Sequence, residues 1–341
     1  MQFLSRDIGV DLGTSNTLVC LKSKGIIMRE PSVVAVDVKN DIVRAVGSDA
    51  RDMIGRTPGS IVAVRPLKDG VIADFDVTSA MLKRFFKSAM HGSFVSRARV
   101  LICIPSGVTE VESRAVNDAA KQAGAKIVDL IEAPMAAAIG AELPVWDSVG
   151  SMVVDIGGGT SEVAVVSLGD IVTSATVKTA GDDMDEAIMS YVRKKHNLLI
   201  GERTAEEIKF KLGSAWEFDG EENLTMDIRG RNLIDGLPKN ITITAFEVRE
   251  ALSDPLHEII DAIRLTLEKT PPELASDIID NGITIAGGGA MLPGIDKLIS
   301  SETAMPVNVA DEPLDCVARG IAKRLELDLP FDTYQKRAKY Y

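Results

Sequence analysis

Cysteine, histidine and aromatic side chains are all scarce in this 341-residue chain, with three Cys, three His and 4% Phe, Trp and Tyr. Cys20, Cys103 and Cys316 lie far apart in apolar stretches, with no C-x-x-C pair and no neighbouring histidines. That spacing argues against a disulfide framework or a thiolate metal centre, and for reduced core cysteines in a cytosolic protein. With so few rings, Ala, Val, Ile, Leu and Met must fill the interior. Positive charge is also short: 38 Lys and Arg against 50 Asp and Glu leave a net charge of −12. Such a surface repels a phosphate backbone, so nucleic acid is not an expected partner. No apolar run approaches the roughly 18 residues that span a bilayer. Residues 1–6 pass into a strand pattern at once, without the apolar stretch of a signal peptide, so the chain is expected to be neither exported nor membrane-spanning.

The 45% apolar and 26% charged residues are those of a folded globular protein. At roughly 150 residues per domain, the length calls for two substantial lobes. Apolar β-branched runs alternate with helical patterns, which predicts α/β layers. Strands are expected at 7–11, 17–21, 31–36, 99–104, 151–155, 162–167, 171–177 and 283–286. Three helix starts carry the capping-box spacing, Thr109 with Glu112, Thr204 with Glu207 and Thr244 with Glu247. Pro134 and Gly140 bracket a short Ala-rich helix.

A self-comparison is more telling. The segment from Ile8 through Asp11, Gly13 and Thr14 to Val19 resembles that from Val153 through Asp155, Gly157, Gly159 and Thr160 to Ala164. Each is a strand ending in Asp, a Gly/Thr turn and a second β-rich strand, and the copies lie nearly half the chain apart. A duplicated α/β lobe explains this economically, with the seam near residues 143–148. Glycines after a strand let the backbone approach a phosphate and aim amide hydrogens at it, while a hydroxyl adds a donor. A single such turn is as readily a steric device. Two matched turns can clamp a polyphosphate from opposite sides, with Asp11 and Asp155 approaching one hydrated Mg²⁺. A third cluster, Gly287, Gly288, Gly289 and Ala290, follows another strand. It either leaves room for a flat ring or a phosphate, or serves close helix–strand packing.

Through Asp11-Leu12-Gly13-Thr14, Asp155-Ile156-Gly157-Gly158-Gly159-Thr160 and Ala286-Gly287-Gly288-Gly289, in that order, the sequence resembles the actin, sugar-kinase and heat-shock-chaperone ATPase superfamily. Within it the chain is similar to the MreB/Mbl family of bacterial actin homologues. Arg29-Glu30-Pro31-Ser32-Val33-Val34-Ala35, Arg65-Pro66-Leu67-Lys68-Asp69-Gly70 and Glu268-Lys269-Thr270-Pro271-Pro272-Glu273 are among the segments that carry this likeness. The resemblance implies an actin-like fold: two duplicated α/β lobes, each with a large and a small subdomain, around a nucleotide cleft. Lobe I is expected at 1–146 plus 315–341, with its small subdomain at about 32–71. Lobe II is expected at 147–314, with its small subdomain at about 183–243.

Carried over motif by motif, ATP is expected against Gly13, Thr14, Ser15, Asn16 and Thr17 and against Gly157, Gly158, Gly159 and Thr160, with Mg²⁺ held by Asp11 and Asp155, through water. The helix segment Glu206, Glu207, Ile208 and Lys209 is expected on the ribose side and Gly287 to Ala290 on the adenine side. Read without the family, Glu206 and Lys209 are an ordinary surface ion pair. One departure stands out. The residue before Pro134 is normally a glutamate that orients the water attacking the γ-phosphate, and here it is Ala133. A methyl group cannot do this, and such losses commonly cost about a hundredfold in rate. Weakened hydrolysis is therefore expected, with Thr160 the remaining water-side hydroxyl and Glu132 a substitute only if the chain shifts register.

The family further implies filaments of paired protofilaments at the inner face of the cytoplasmic membrane, working with cell-wall elongation proteins to set rod shape. Phe94 and Val95, in a Gly/Ser-bounded segment beside arginines, and Phe3 and Leu4 near the start are the candidate membrane contacts. A small-molecule kinase of the same superfamily is the enzyme-class alternative.

Overall fold

The computed structural model describes residues 7–40, 42–56, 59–90 and 98–327. Phe3, Leu4, Phe94 and Val95 lie outside the described residues.

Two five-stranded sheets carry the fold, and their strand orders match. The first runs Ile127–Glu132, Arg99–Ile104, Ile8–Leu12, Asn16–Leu21, Gly25–Pro31. The second runs Val307–Val309, Ile283–Ala286, Ser151–Ile156, Ser161–Ser167, Asp170–Val177. In each, the central strand pairs antiparallel with the hairpin that follows it and parallel with a strand arriving from a helical crossover. Even the register repeats: Asp11 lies opposite Leu18 and Asp155 opposite Glu162. The sequence repeat is thus a repeat of topology.

The central strands are buried on both faces, as near-continuous Val/Ile runs require. Met152, Val154 and Ile156 face one core and Val153 the other, the period-2 alternation of a strand. The core on the Val153 side draws Cys20, Leu101 and Cys103 from the first sheet, and Val153, Ala164, Val166 and Ala286 from the second. Helices Ala133–Gly140 and Cys316–Glu326 lie within that same core, so the two halves are joined by one apolar layer. The helices cross at backbone distance. A Cβ on Gly140 would overlap the Cys316 carbonyl, and one on Gly320 the Ala136 carbonyl. Small residues on both elements are what allow this approach. All three cysteines are buried and unpaired.

Each half also bears a small three-stranded sheet. In the first half it is Ile42–Val46, Val34–Asp37 and Ile61–Val64, and in the second Leu198–Leu199, Thr225–Asn232 and Pro238–Thr244. The single strand expected over 31–36 is in fact two. Gly25–Pro31 closes the first large sheet and Val34–Asp37 belongs to the small one, the chain passing between them at Ser32 and Val33. The Ser32 amide still donates in register to the Ser15 carbonyl at 3.0 Å, and the turn comes one residue later, where the Val33 amide donates back to the Pro31 carbonyl at 2.9 Å.

The capping boxes at Thr109 with Glu112 and at Thr244 with Glu247 are formed. The one expected at Thr204 with Glu207 is not. Helix Glu202–Leu212 begins earlier, with Gly201 as its N-cap residue, so Thr204 sits inside the first turn and Glu207 faces Arg203 at 3.6 Å. Pro134 occupies the first turn of helix Ala133–Gly140, where a missing N–H costs nothing.

Candidate functional site

The two Asp-headed hairpins meet face to face. A Cβ on Gly158 would overlap Ser15 Oγ, and one on Gly159 would come within 2.6 Å of Thr14 Oγ1. Only glycine lets the turns approach so closely. Both turns are tightly wound, and the Gly157 amide donates to the Thr160 carbonyl at 2.9 Å. The first turn is braced from beneath. Thr17 Oγ1 and Ser32 Oγ lie 2.8 Å apart, and Ser32 Oγ donates to the Gly13 carbonyl at 2.6 Å. Thr17 is fully buried, so its hydroxyl supports the turn from inside. Gly70 closes one flank, its amide donating to Thr14 Oγ1 at 3.1 Å while its α-carbon faces the Thr160 side chain.

Asp11 and Asp155 end the two central strands beneath these turns. Burial, and then the charge of Asp315, pushes Asp11 up to about 7. Burial, and then the charges of Asp11 and Glu162, pushes Asp155 up to about 8. A carboxylate that feels the charge of its neighbours, as Asp155 feels Asp11 and Asp11 feels Asp315, is a natural seat for a cation. The third glycine cluster crosses over the same strand end. Gly287 has φ 78 and its α-carbon faces Asp155 Oδ1 and the Ile156 carbonyl, while Gly289 lies against the Ile156 side chain. These two glycines are needed for packing, and that packing carries Gly288 and Ala290 to the carboxylate end of the strand.

Helix Gly181–His196 starts against the second turn, with the Gly181 and Asp182 amides donating to the Gly157 and Gly158 carbonyls at 3.1 and 2.7 Å. Lys209 does not pair with Glu206. Its Nζ lies 2.9 Å from Asp185 and donates to the Gly181 carbonyl at 2.6 Å, fixing the helix start. Glu206 instead meets Arg51 at 2.6 Å, and Arg65 lies 3.1 Å from Asp182 and 3.6 Å from Glu202. These ion pairs join the two small-sheet regions across the mouth of the cleft. Ile208 is fully buried in the core of the second half. Ala133 is buried and Glu132 exposed, so the chain keeps the register that turns the methyl inward.

Asp182, Asp185, Arg51, Ser106, Thr176 and Glu162 belong to this neighbourhood and were not singled out by the sequence, and Arg65 was noted only within a family-like segment. Of the rest, only Glu162 left a trace there, as the one ionisable residue in an otherwise uncharged strand.

Matched sheets, a doubled glycine turn and a pair of carboxylates between the halves define a two-lobed protein of the actin-like class. The chain matches the MreB/Mbl protein family over residues 5–329. It is 51% identical to the cell shape-determining protein Mbl of Bacillus cereus, over 98% of this chain and 99% of that one. It is 53% identical to the cell shape-determining protein MreB of Escherichia coli, over 95% of this chain and 94% of that one. The crystal structure of MreB5 of Spiroplasma citri bound to AMPPNP superposes with a TM-score of 0.89 at 39% identity, covering 96% of this chain and 99% of that one. The chain belongs to the MreB/Mbl family and is an actin-like protein of the bacterial cytoskeleton.

Proposed function

We propose that this protein binds Mg-ATP between its lobes, polymerises in that state and hydrolyses the nucleotide slowly. The observation that carries the reading is the pair of matched glycine turns meeting above two carboxylates, Asp155 buried and Asp11 half-buried. AMPPNP in the MreB5 relative supports it. A kinase is not favoured, because the full-length relatives are cell shape-determining proteins.

The residues present fit the ligand. Backbone amides of the turns, with the hydroxyls of Thr14, Ser15 and Thr160, are suited to phosphate oxygens, and Asp11 and Asp155 to a hydrated divalent cation that neutralises them. Asn16, exposed, opens the strand that leaves the first turn. Glu206 becomes available to a ribose once it leaves Arg51, while Lys209 holds the helix that backs the phosphate turn. The magnesium ion supplies charge neutralisation at the phosphates; the chain supplies binding, orientation and closure. Filaments, a peripheral position at the inner face of the cytoplasmic membrane and work alongside cell-wall elongation proteins complete the proposal.

Calorimetry with Mg-AMPPNP, followed by sedimentation with and without Mg-ATP, tests this reading. Saturable uptake at one site per chain and nucleotide-dependent pelleting are expected. A folded protein that takes up no nucleotide, or that stays in the supernatant and consumes ATP only with a small acceptor, overturns it.

A further inference from the structure

Strand Ser161–Ser167 is buried at all seven positions, and Glu162, 1% exposed, is its one ionisable residue. A carboxylate in such a place is costly unless hydrogen-bonded. Its Oε2 is well satisfied, accepting from the Ser106 amide at 3.2 Å, Ser106 Oγ at 2.9 Å and Thr176 Oγ1 at 2.7 Å. Its Oε1 is equally shut away and has no hydrogen-bond partner among the described residues. One oxygen is thus clamped by three donors while the other keeps its lone pairs. The antiparallel register sets Glu162 directly opposite Asp155, and residues so paired project from the same face of a sheet. Thr160, two residues earlier, falls on that side as well. The charge of Glu162 is felt at Asp155, Cys103 and Glu132, which lie around the strand ends beneath the turns. A purely structural strap between Ser106 and Thr176 accounts for Oε2 and leaves Oε1 unexplained.

We propose that Glu162 orients the attacking water, supplying the carboxylate that position 133 lacks. The inference rests on the nucleotide-binding reading above. The water donates a hydrogen bond to Oε1. Its oxygen forms a bond to the γ-phosphorus as the bond from that phosphorus to the β–γ bridging oxygen breaks. The electron pair leaves with ADP, and the water's proton passes to Oε1 and on to solvent, regenerating the carboxylate. The Ser106 and Thr176 donors hold the group still, which a positioning residue requires.

The test compares Glu162→Gln, Glu162→Asp and Glu162→Gln with Ala133→Glu in the full chain. Glu162→Gln should keep its melting temperature and its affinity for AMPPNP within about threefold. It should release phosphate about a hundredfold more slowly in single turnover, at the lower end of general-base losses. It should also lose affinity selectively for ADP with aluminium fluoride, a mimic of the reacting phosphate. Glu162→Asp, which keeps the charge and withdraws it by one methylene, should fall between, and Ala133→Glu should restore turnover. Wild-type protein that takes up no AMPPNP overturns the binding reading and this one together. Wild-type protein that binds but releases no phosphate, or variants that fold and turn over at the wild-type rate, overturn the assignment to Glu162 alone. So does equal loss of AMPPNP and of the fluoride complex. Should Glu162→Gln fail to fold, a wild-type rate in Glu162→Asp overturns it.

Discussion

A carboxylate buried beside another is a liability to the ligand-free protein. Asp155 lies near 8 and Asp11 near 7, both raised from the ordinary 3.8. The neutral acids are therefore favoured on folding. That contribution is complete below the ordinary value and is lost as pH rises through about 7 and then about 8. The melting temperature of ligand-free protein should accordingly fall between about pH 4 and pH 8 and level off above that, and Mg-AMPPNP should reverse the fall by neutralising the pair. Asp155→Asn removes the cost and the cation seat together. It is expected to melt a few degrees higher than wild type at pH 8 without ligand, and to gain little from Mg-AMPPNP. Thermal melts at several pH values check this, and an Asp155→Asn protein that melts lower at pH 8 with the same ligand response contradicts it. The two aspartates were legible in the sequence because each ends an apolar run ahead of a glycine turn. Glu162 was not, since its position depends on which residue stands opposite it across the hairpin.

At the level of elements, patterns carried entirely within a segment were readable and those fixed by neighbours were not. The near-continuous apolar run in Ser151–Ile156 and the Thr244–Glu247 capping box are local, and both stand in the structure. The Thr204–Glu207 spacing was local too, yet Gly201 starts that helix earlier, which puts Glu206 within reach of Arg51. The passage from one sheet to another just after Pro31 was hidden because the apolar run at 33–36 follows Pro31 directly, with no turn residue but Ser32 between them. The ion pairs across the cleft mouth join helix Ser48–Arg51 to Glu206, and Arg65 to helix Gly181–His196 and helix Glu202–Leu212. Each is partly exposed, so each is worth only about 0–1 kcal/mol and weakens with salt. Opening the mouth for exchange must break them. Arg51→Ala is expected to release a fluorescent ADP analogue about two- to fivefold faster, and wild-type release should quicken as salt is raised. Stopped-flow displacement measures both, and a salt-independent rate equal in the two proteins removes these pairs from the exchange barrier.

For the whole molecule, the charge of −12 sets the terms on which it can meet a lipid surface. An anionic leaflet repels so acidic a protein, and a single short apolar segment contributes too little to overcome that alone. No helix among the described residues is long and apolar enough to cross a bilayer. Under the membrane role proposed above, stable attachment would come from many copies bringing the same segment to the surface along one line, where each binding event after the first is intramolecular. Polymerisation and membrane binding should then rise and fall together. In liposome flotation, Mg-ATP is expected to raise the bound fraction of wild-type protein steeply above the concentration at which it begins to pellet. Phe94→Ser with Val95→Ser should abolish flotation while leaving pelleting intact. Attachment that is linear in protein concentration and indifferent to nucleotide would show that single molecules suffice. Undiminished flotation of the double variant would place the lipid contact elsewhere.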